Sequence, residues 1–248
     1  MTGAHPWCAL VFRAKGGIRG AQALLGCPNG VTSWPRVFVS CTEGGIRIQL
    51  KLRPIAIMSP MPPDPTKVEG KTERLILRPL ALDDAGQIQT LFPQWEIVRF
   101  LRDIVPWPYP PGGALQYLRD VALPEMERGE SFNWTLRLAA DPNSIIGFLH
   151  LKPGKSHNRG FWLDPHHQGR GLMTEACAWA NDFWFDVLGQ PILRVSKSIA
   201  NTASRRISIK HGMRVIGTEE ANYVSGRQPS EIWELTAADW HSWKPPAN

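Results

Sequence analysis

From Thr72 onward the hydrophobic positions fall into short runs with two distinct periods. Leu75-Ile-Leu-Arg-Pro-Leu80 reads as a first strand. Asp83 or Asp84 can cap a helix carrying Ile88, Leu91 and Phe92, and Trp95 to Leu101 makes a second short helix. Trp107-Pro-Tyr-Pro-Pro-Gly-Gly113 is a rigid turn, followed by a helix with Leu115, Leu118, Val121 and Met126. Phe132–Leu138 and Ile145–Leu151 are strands flanking the turn residues Asp141-Pro-Asn143, so they predict a hairpin. Asn158 to Leu163 is the next strand. From about Gly169 to Leu188 the apolar positions Leu172, Ala176, Trp179 or Ala180, Phe183 and Val187 form the buried stripe of an amphipathic helix. Ile192–Val195 is a strand, and Asn201 caps a short helix that stops at Gly212. Met213–Thr218 and Glu231–Leu235 close the pattern. The predicted order is β-α-α-β-β-β-α-β-α-β-β, an α/β domain over residues 73–242 with a tail at 243–248; no internal repeat is visible.

Residues 1–72 are different. Gly and Pro are scattered and no helical period appears, although Ile46-Arg-Ile-Gln-Leu-Lys-Leu52 alternates like a strand. Met58-Ser-Pro-Met-Pro-Pro-Asp-Pro65 has linker composition. The segment reads as a poorly structured extension. An Arg-rich transit peptide is an alternative, but translation starting at Met58 or Met61 fits best, because the ordered pattern begins only after them.

Composition narrows the class. With 248 residues, 43% hydrophobic and 20% charged, the chain is that of a soluble globular protein, and no apolar run reaches the ~18 residues of a membrane span. The net charge of +6 is concentrated in residues 1–70, which hold 8 basic and 3 acidic residues. The main domain is therefore nearly balanced, so the basic pI is no argument that it binds nucleic acid, and neither nucleic acid nor membrane is expected as its partner. Four cysteines without metal or framework spacing suit a reducing, cytoplasmic setting. A monomer or homodimer is expected.

The chemistry concentrates in Asp164-Pro-His-His-Gln-Gly-Arg-Gly-Leu-Met-Thr-Glu-Ala176. A strand, a glycine-bearing turn and a helix bind anions, because the first helical N–H groups lack intrahelical partners and carry the positive end of the dipole. No Gly-Lys-Ser/Thr follows, and the three-glycine spacing of a dinucleotide fold is missing. His166 and His167 read as loop surface, and no metal site is expected.

Gln168-Gly-Arg-Gly171-Leu-Met173 resembles the acetyl-CoA pyrophosphate loop of the GNAT superfamily of N-acetyltransferases, with Met173 where a small residue is usual. Trp162-Leu163-Asp164-Pro165, Thr174-Glu175-Ala176, and Asn201 with Ser204, Arg205, Lys210 and Gly212 extend the likeness to the branch that acetylates ribosomal-protein N-termini. The resemblance implies a GNAT-type acyl-CoA N-acyltransferase fold, with a mixed, mostly antiparallel sheet splayed at the cofactor site. It implies acetyl-CoA as cosubstrate and a primary amine as acceptor. It carries cofactor contact to Trp162, Leu163, Gln168, Gly169, Arg170, Gly171, Leu172, Met173 and Asn201, and support of the leaving thiolate to Ser204. Glu175 at a helix start is explained by the dipole alone. The glutamate that relatives often carry before the loop is here Asn158, a poor proton acceptor. The adjacent His157 is the candidate base, with His150, Glu96 and Tyr223 as alternatives. Trp95, Trp107 and Trp134 fall in segments that border the acceptor cleft in the family. A non-catalytic acyl-CoA-binding module and a phosphometabolite binder remain the rival functions.

Overall fold

The computed structural model describes residues 63–243 except Lys155, together with the backbone of two earlier strands. The chain divides into a unit Met1–Met61 and a unit Pro62–Asn248. In the first, β1 (Phe38–Thr42) pairs antiparallel with β2 (Gly45–Gln49). The alternation from Ile46 thus forms a strand as far as Gln49. Residues 50–52 and both candidate start methionines lie outside the described residues.

The second unit begins its sheet with β3 (Gly70–Lys71) and β4 (Leu75–Pro79). Helices α1 (Ala85–Leu91), α2 (Trp95–Val98), α3 (Gly113–Tyr117) and α4 (Leu123–Glu127) follow. Next come β5 (Phe132–Leu138), β6 (Asp141–Leu151) and β7 (Arg159–Leu163). Helix α5 (Leu172–Asp182) crosses to β8 (Ile192–Ser198), and α6 (Thr202–Lys210), β9 (Arg214–Tyr223), β10 (Gly226–Thr236) and α7 (Ala237–Ser242) complete the chain. Strands β3-β4-β5-β6-β7 make one antiparallel sheet and β8-β10-β9 another.

The first sheet is covered on both faces. Phe132, Trp134 and Leu136 of β5 pack with Ala176, Ala180 and Phe183 on the side of α5. Ile145, Phe148 and Trp162 pack with Ile88, Leu118 and Met126 on the side of α1, α3 and α4. The sheet reaches back before Thr72: Gly70 and Lys71 pair with Leu77 and Ile76, and the Trp134 indole donates to the Val68 carbonyl at 2.8 Å.

Several elements differ from the sequence expectation for local reasons. Asp84 does not cap α1; its carboxylate accepts from the Ala81 N–H at 3.0 Å and from the buried guanidinium of Arg137 at 2.6 Å. The π-helical turn Leu118–Ala122 joins α3 to α4 and shifts the buried stripe to Ala114, Leu118, Ala122 and Met126, leaving Leu115 and Val121 exposed. A second π-helical turn, Phe183–Val187, ends α5 and turns Val187 to solvent while Trp184 is buried. The β5–β6 turn lies at Ala139 and Ala140, so Asp141-Pro-Asn143 already belongs to β6.

Candidate active site

The two sheets meet at one join. The Asn158 N–H donates to the Arg194 carbonyl at 2.8 Å, and the Arg194 N–H donates to Asn158 Oδ1 at 2.7 Å. Beyond it no ladder connects β7 to β8 among the described residues. Asn158 thus spends its side chain on holding the strands, not on proton transfer. Gly160–Leu163 and Val195–Ser198 line opposite sides of a cleft of about 460 Å³ that the divergence opens.

The glycine turn closes one end of this cleft. Gly169 (φ 74°) and Gly171 (φ 78°) both adopt left-handed backbone, which a side chain would strain. Gly171 leads directly into α5, so the first amides of that helix face outward from the turn. Among the described residues, no carbonyl outside the helix accepts from the N–H groups of Gly169 to Met173. The turn is braced from the first sheet. Arg74 Nη1 donates to the Arg170 carbonyl at 3.0 Å and Arg74 Nε to Glu175 at 2.7 Å. Glu175 also accepts from Thr72 Oγ1 and from the Arg74 N–H. Gln168 Nε2 donates to the Leu163 carbonyl at 2.9 Å, tying the turn to the end of β7.

Helix α6 lines the other side. Asn201 caps it, its Oδ1 accepting from the Ser204 N–H at 3.1 Å. The Ser204 hydroxyl accepts from the buried Lys197 ammonium at 2.7 Å, and the Ser204 carbonyl accepts from the same group at 3.0 Å. Burial, then the charge of Arg159, pushes Lys197 down to about 7.

A second cavity of about 530 Å³ lies across β7, and Phe161, Trp162, Gly160 and Ser196 line both spaces. Its walls are largely apolar: Ile88, Phe92, Phe100, Val105, Tyr109, Leu118 and Phe148. His157 and His150 also face it. Burial pushes His150 down to about 3, and its ring occupies the space where Gly160 would carry a Cβ. His157 is lowered by burial and by Arg102, with Glu219 opposing, so it is neutral at pH 7. Glu219 is held below the usual carboxylate range by the Ser196 hydroxyl and then by Arg102.

A sequence model described as an Acetyltransferase (GNAT) domain matches residues 74–214. The chain belongs to the GNAT acetyltransferase family. Mycobacterium smegmatis RimJ, in complex with CoA-disulfide, is similar at 17% identity over 75% of this chain and 93% of its own, with a TM-score of 0.63. The ribosomal-protein-S5-alanine acetyltransferase of Vibrio fischeri is similar at 20% identity over 72% and 100%, TM-score 0.60. The microcin C7 self-immunity acetyltransferase MccE, in complex with acetyl-CoA and AMP, is similar at 14% identity over 66% and 93%, TM-score 0.56. These likenesses establish the GNAT fold. No curated protein sequence matches the chain.

Within this GNAT domain the cleft gathers Trp162, Leu163, Gln168, Gly169, Gly171, Leu172, Met173, Asn201 and Ser204. Arg170 is outside the lining and contributes its carbonyl to Arg74 instead. His157 lines the second cavity, while the Asn158 side chain accepts from the Arg194 N–H; both precede β7. Glu96 lines the first cleft, and Tyr223 lines the second while its hydroxyl pairs with Ser230 at 2.6 Å. Of the three tryptophans assigned to the acceptor side, Trp134 is wholly buried in the α5-side core, and Trp95 and Trp107 lie against each other at the surface with their rings tilted by 45°. Trp162 supplies the indole there. His166 and His167 both turn to Asp164, at 3.3 and 3.0 Å, and among the described residues no cluster suits a metal ion. Likewise, no described helix is long and apolar enough to cross a membrane. The sequence reading missed Lys197 and Arg159. Both look like ordinary surface cations in the text; only the interruption of apolar alternation in their strands marks them.

Proposed function

We propose that this protein transfers an acetyl group from acetyl-CoA to a primary amine by direct attack of the amine on the thioester. The observation that carries this is the junction of two cavities at the gap between β7 and β8. The outward amides from Gly169 to Met173 suit the pyrophosphate, since they offer several donors and a helix N-terminus to one dianion. Asn201 and the walls of β7 and β8 suit the arm that leads from it to the gap. The thioester then lies beside Ser204, whose hydroxyl faces the cleft and serves as donor to the leaving sulfur.

The acceptor enters from the second cavity. An alkylamine is mostly protonated at pH 7 and must lose a proton before attack. His157 is the acceptor of that proton: it lines this cavity, is neutral at pH 7, and has charged Glu219 near it to stabilise the imidazolium. Among the described residues the only carboxylate in the lining is Asp120, which its neighbour Arg119 already pairs at 2.6 Å. A polycation finds little to hold it there. An amine on an apolar body fits better, because burial against Phe92, Phe148 and Trp162 is worth about 25 cal/mol per Å².

The test is release of CoA thiol from acetyl-CoA with a phenylalkylamine, spermidine and a peptide with a free N-terminus. Turnover is expected, fastest with the phenylalkylamine. CoA binding without turnover on any amine would replace this proposal with the binding-module function; preference for spermidine would remove the apolar acceptor.

A further inference from the structure

We propose that Lys197 is the proton source for the departing CoA thiolate, acting through the Ser204 hydroxyl; this rests on the acetyl-transfer function proposed above. The geometry is specific. Val195 and Lys197 are alternate residues of β8 and share a face, with Val195 in the α5-side core. Lys197 is 6% exposed, and its ammonium has two oxygen partners, Ser204 Oγ at 2.7 Å and the Ser204 carbonyl at 3.0 Å. The Phe161 ring of β7 lies 5.2 Å from Nζ. Because Nζ donates to Oγ, the hydroxyl's own hydrogen is free to turn into the cleft, where the sulfur departs. The Ser204 N–H is already fixed by Asn201, so the first turn of α6 cannot drift from this position.

A buried lysine kept for stability is ordinarily matched by a carboxylate. Here none is in contact among the described residues. The ionisable groups that act on Lys197 are Arg159 of β7 and Cys177 of α5, and the neutral His211 at the end of α6 feels both Lys197 and Arg159. Among the described residues neither cation has an acidic partner: Arg159 donates to Asn181 Oδ1 and lies 3.8 Å from Met213 Sδ. Burial and Arg159 together lower the ammonium to about 7, so Lys197 can hold a proton and also release it near neutrality. Partnered among the described residues only by neutral oxygens, it is a proton donor in a site where one is needed.

The step balances as follows. The amine nitrogen bonds to the thioester carbon, and the carbon–sulfur bond breaks with its electron pair going to sulfur. The Ser204 Oγ–H proton passes to sulfur, and an Nζ–H proton of Lys197 passes to Oγ. The ammonium substrate gives one proton to His157 and thence to solvent before attack; after attack the same nitrogen gives up a second proton by the same route, and neutral Lys197 regains one from solvent. No oxidant or reductant is involved.

The experiment is kcat against pH for the unmutated protein, Lys197→Met and Lys197→Arg, with acetyl-CoA KM, CoA affinity by calorimetry and melting temperature on each. The unmutated protein is expected to lose kcat as pH rises through about 7. Lys197→Met should lower kcat at pH 6.5 by about tenfold or more, typical of a lost general acid. Its CoA affinity should stay within about twofold, and its falling limb should vanish. Lys197→Arg keeps the charge but cannot release a proton near pH 7, so it should not restore kcat. A Lys197→Met protein that keeps both kcat and the falling limb overturns the proposal, as does one that loses CoA affinity with the limb unchanged. If Lys197→Met does not fold, Ser204→Ala must abolish the same limb, and its persistence overturns the relay. Absence of turnover in the unmutated protein overturns acetyl transfer itself, and turnover with an unaltered limb in the variants overturns only the role of Lys197.

Discussion

Replacing Asp84 by Ala should destabilise the domain severely, and the structure sets the size of the effect. Asp84 is 2% exposed and Arg137 1% exposed, with Oδ1 and Nη2 2.6 Å apart. Burial already pulls the Arg137 guanidinium down, and Asp84 is the main group opposing that pull. Without the carboxylate, Arg137 keeps only neutral acceptors, the carbonyls of Pro142 and Asn143 and the Thr135 hydroxyl. Breaking a buried pair in this way costs roughly 3–5 kcal/mol, and the orphaned Ala81 N–H adds about 1 kcal/mol. For a unit of this size each kcal/mol lowers Tm by about 2–4 °C, so a fall on the order of 10 °C is expected. Removing both charges, as Asp84→Ala with Arg137→Met, should cost less than the sum of the single effects, because no ion is left buried. Urea melts of the four proteins in the double-mutant cycle measure this. There is a functional counterpart. Asp84 immediately precedes α1, which brings Ile88 and, at its end, Phe92 to the second cavity. KM for the amine should therefore rise in Asp84→Ala while CoA affinity is kept. A cost below about 1 kcal/mol, or additive single effects, would refute the reasoning.

Other outcomes follow from the same structure. Gly171→Asp should abolish CoA binding by calorimetry while the protein still melts cooperatively, since it puts bulk and negative charge at a left-handed position beside the outward amides; unchanged affinity would rule out the loop. A chain beginning at Met58 or Met61 should melt and bind CoA like the full chain, whereas removal through Lys71 deletes β3 and the Val68 partner of Trp134 and should lose the cooperative transition. His157→Gln should remove the rising limb of kcat against pH with little effect on CoA affinity. Lys197 also predicts a stability slope. Its folded pKa is about 7 and the unfolded chain holds the proton to about 10.4, so between these values the unfolded state binds more protons. Stability should rise with pH across that window, by up to about 1.4 kcal/mol per unit, and Lys197→Met should flatten it in pH-resolved urea melts.

What could be read from the text was whatever depends on neighbours in sequence. The glycine turn, the Asn201 cap with Ser204 and the Gly212 stop are local devices, and each is where the pattern puts it. Strands of alternating apolar residues, such as Phe132–Leu138, are likewise legible. Long-range partners were not. Arg137 sits in a strand buried on both faces, and only the fold reveals that Asp84 meets it there. β9 and β10 run to ten and eleven residues with many polar side chains, because strand pairing and not a buried face extends them. The π-helical turns rotate the helix faces of Leu115, Val121 and Val187 away from the expected stripe. At the site, Lys197 acquires its meaning only when β8 places it under Ser204.

The gap between β7 and β8 has a further consequence. Two strand edges face each other there, fastened at Asn158 and Arg194 and left open beyond. Alternate peptide groups along an open edge lack a ladder partner. If acetyl-CoA binds as proposed above, the amides of its pantetheine arm are expected to engage these edges as a temporary strand and to join the two sheets for the lifetime of the complex. Deuterium uptake should register this as a strip of slowed exchange along Arg159–Leu163 and Val195–Ser198 when CoA is added, with the far strands β3 and β9 unchanged.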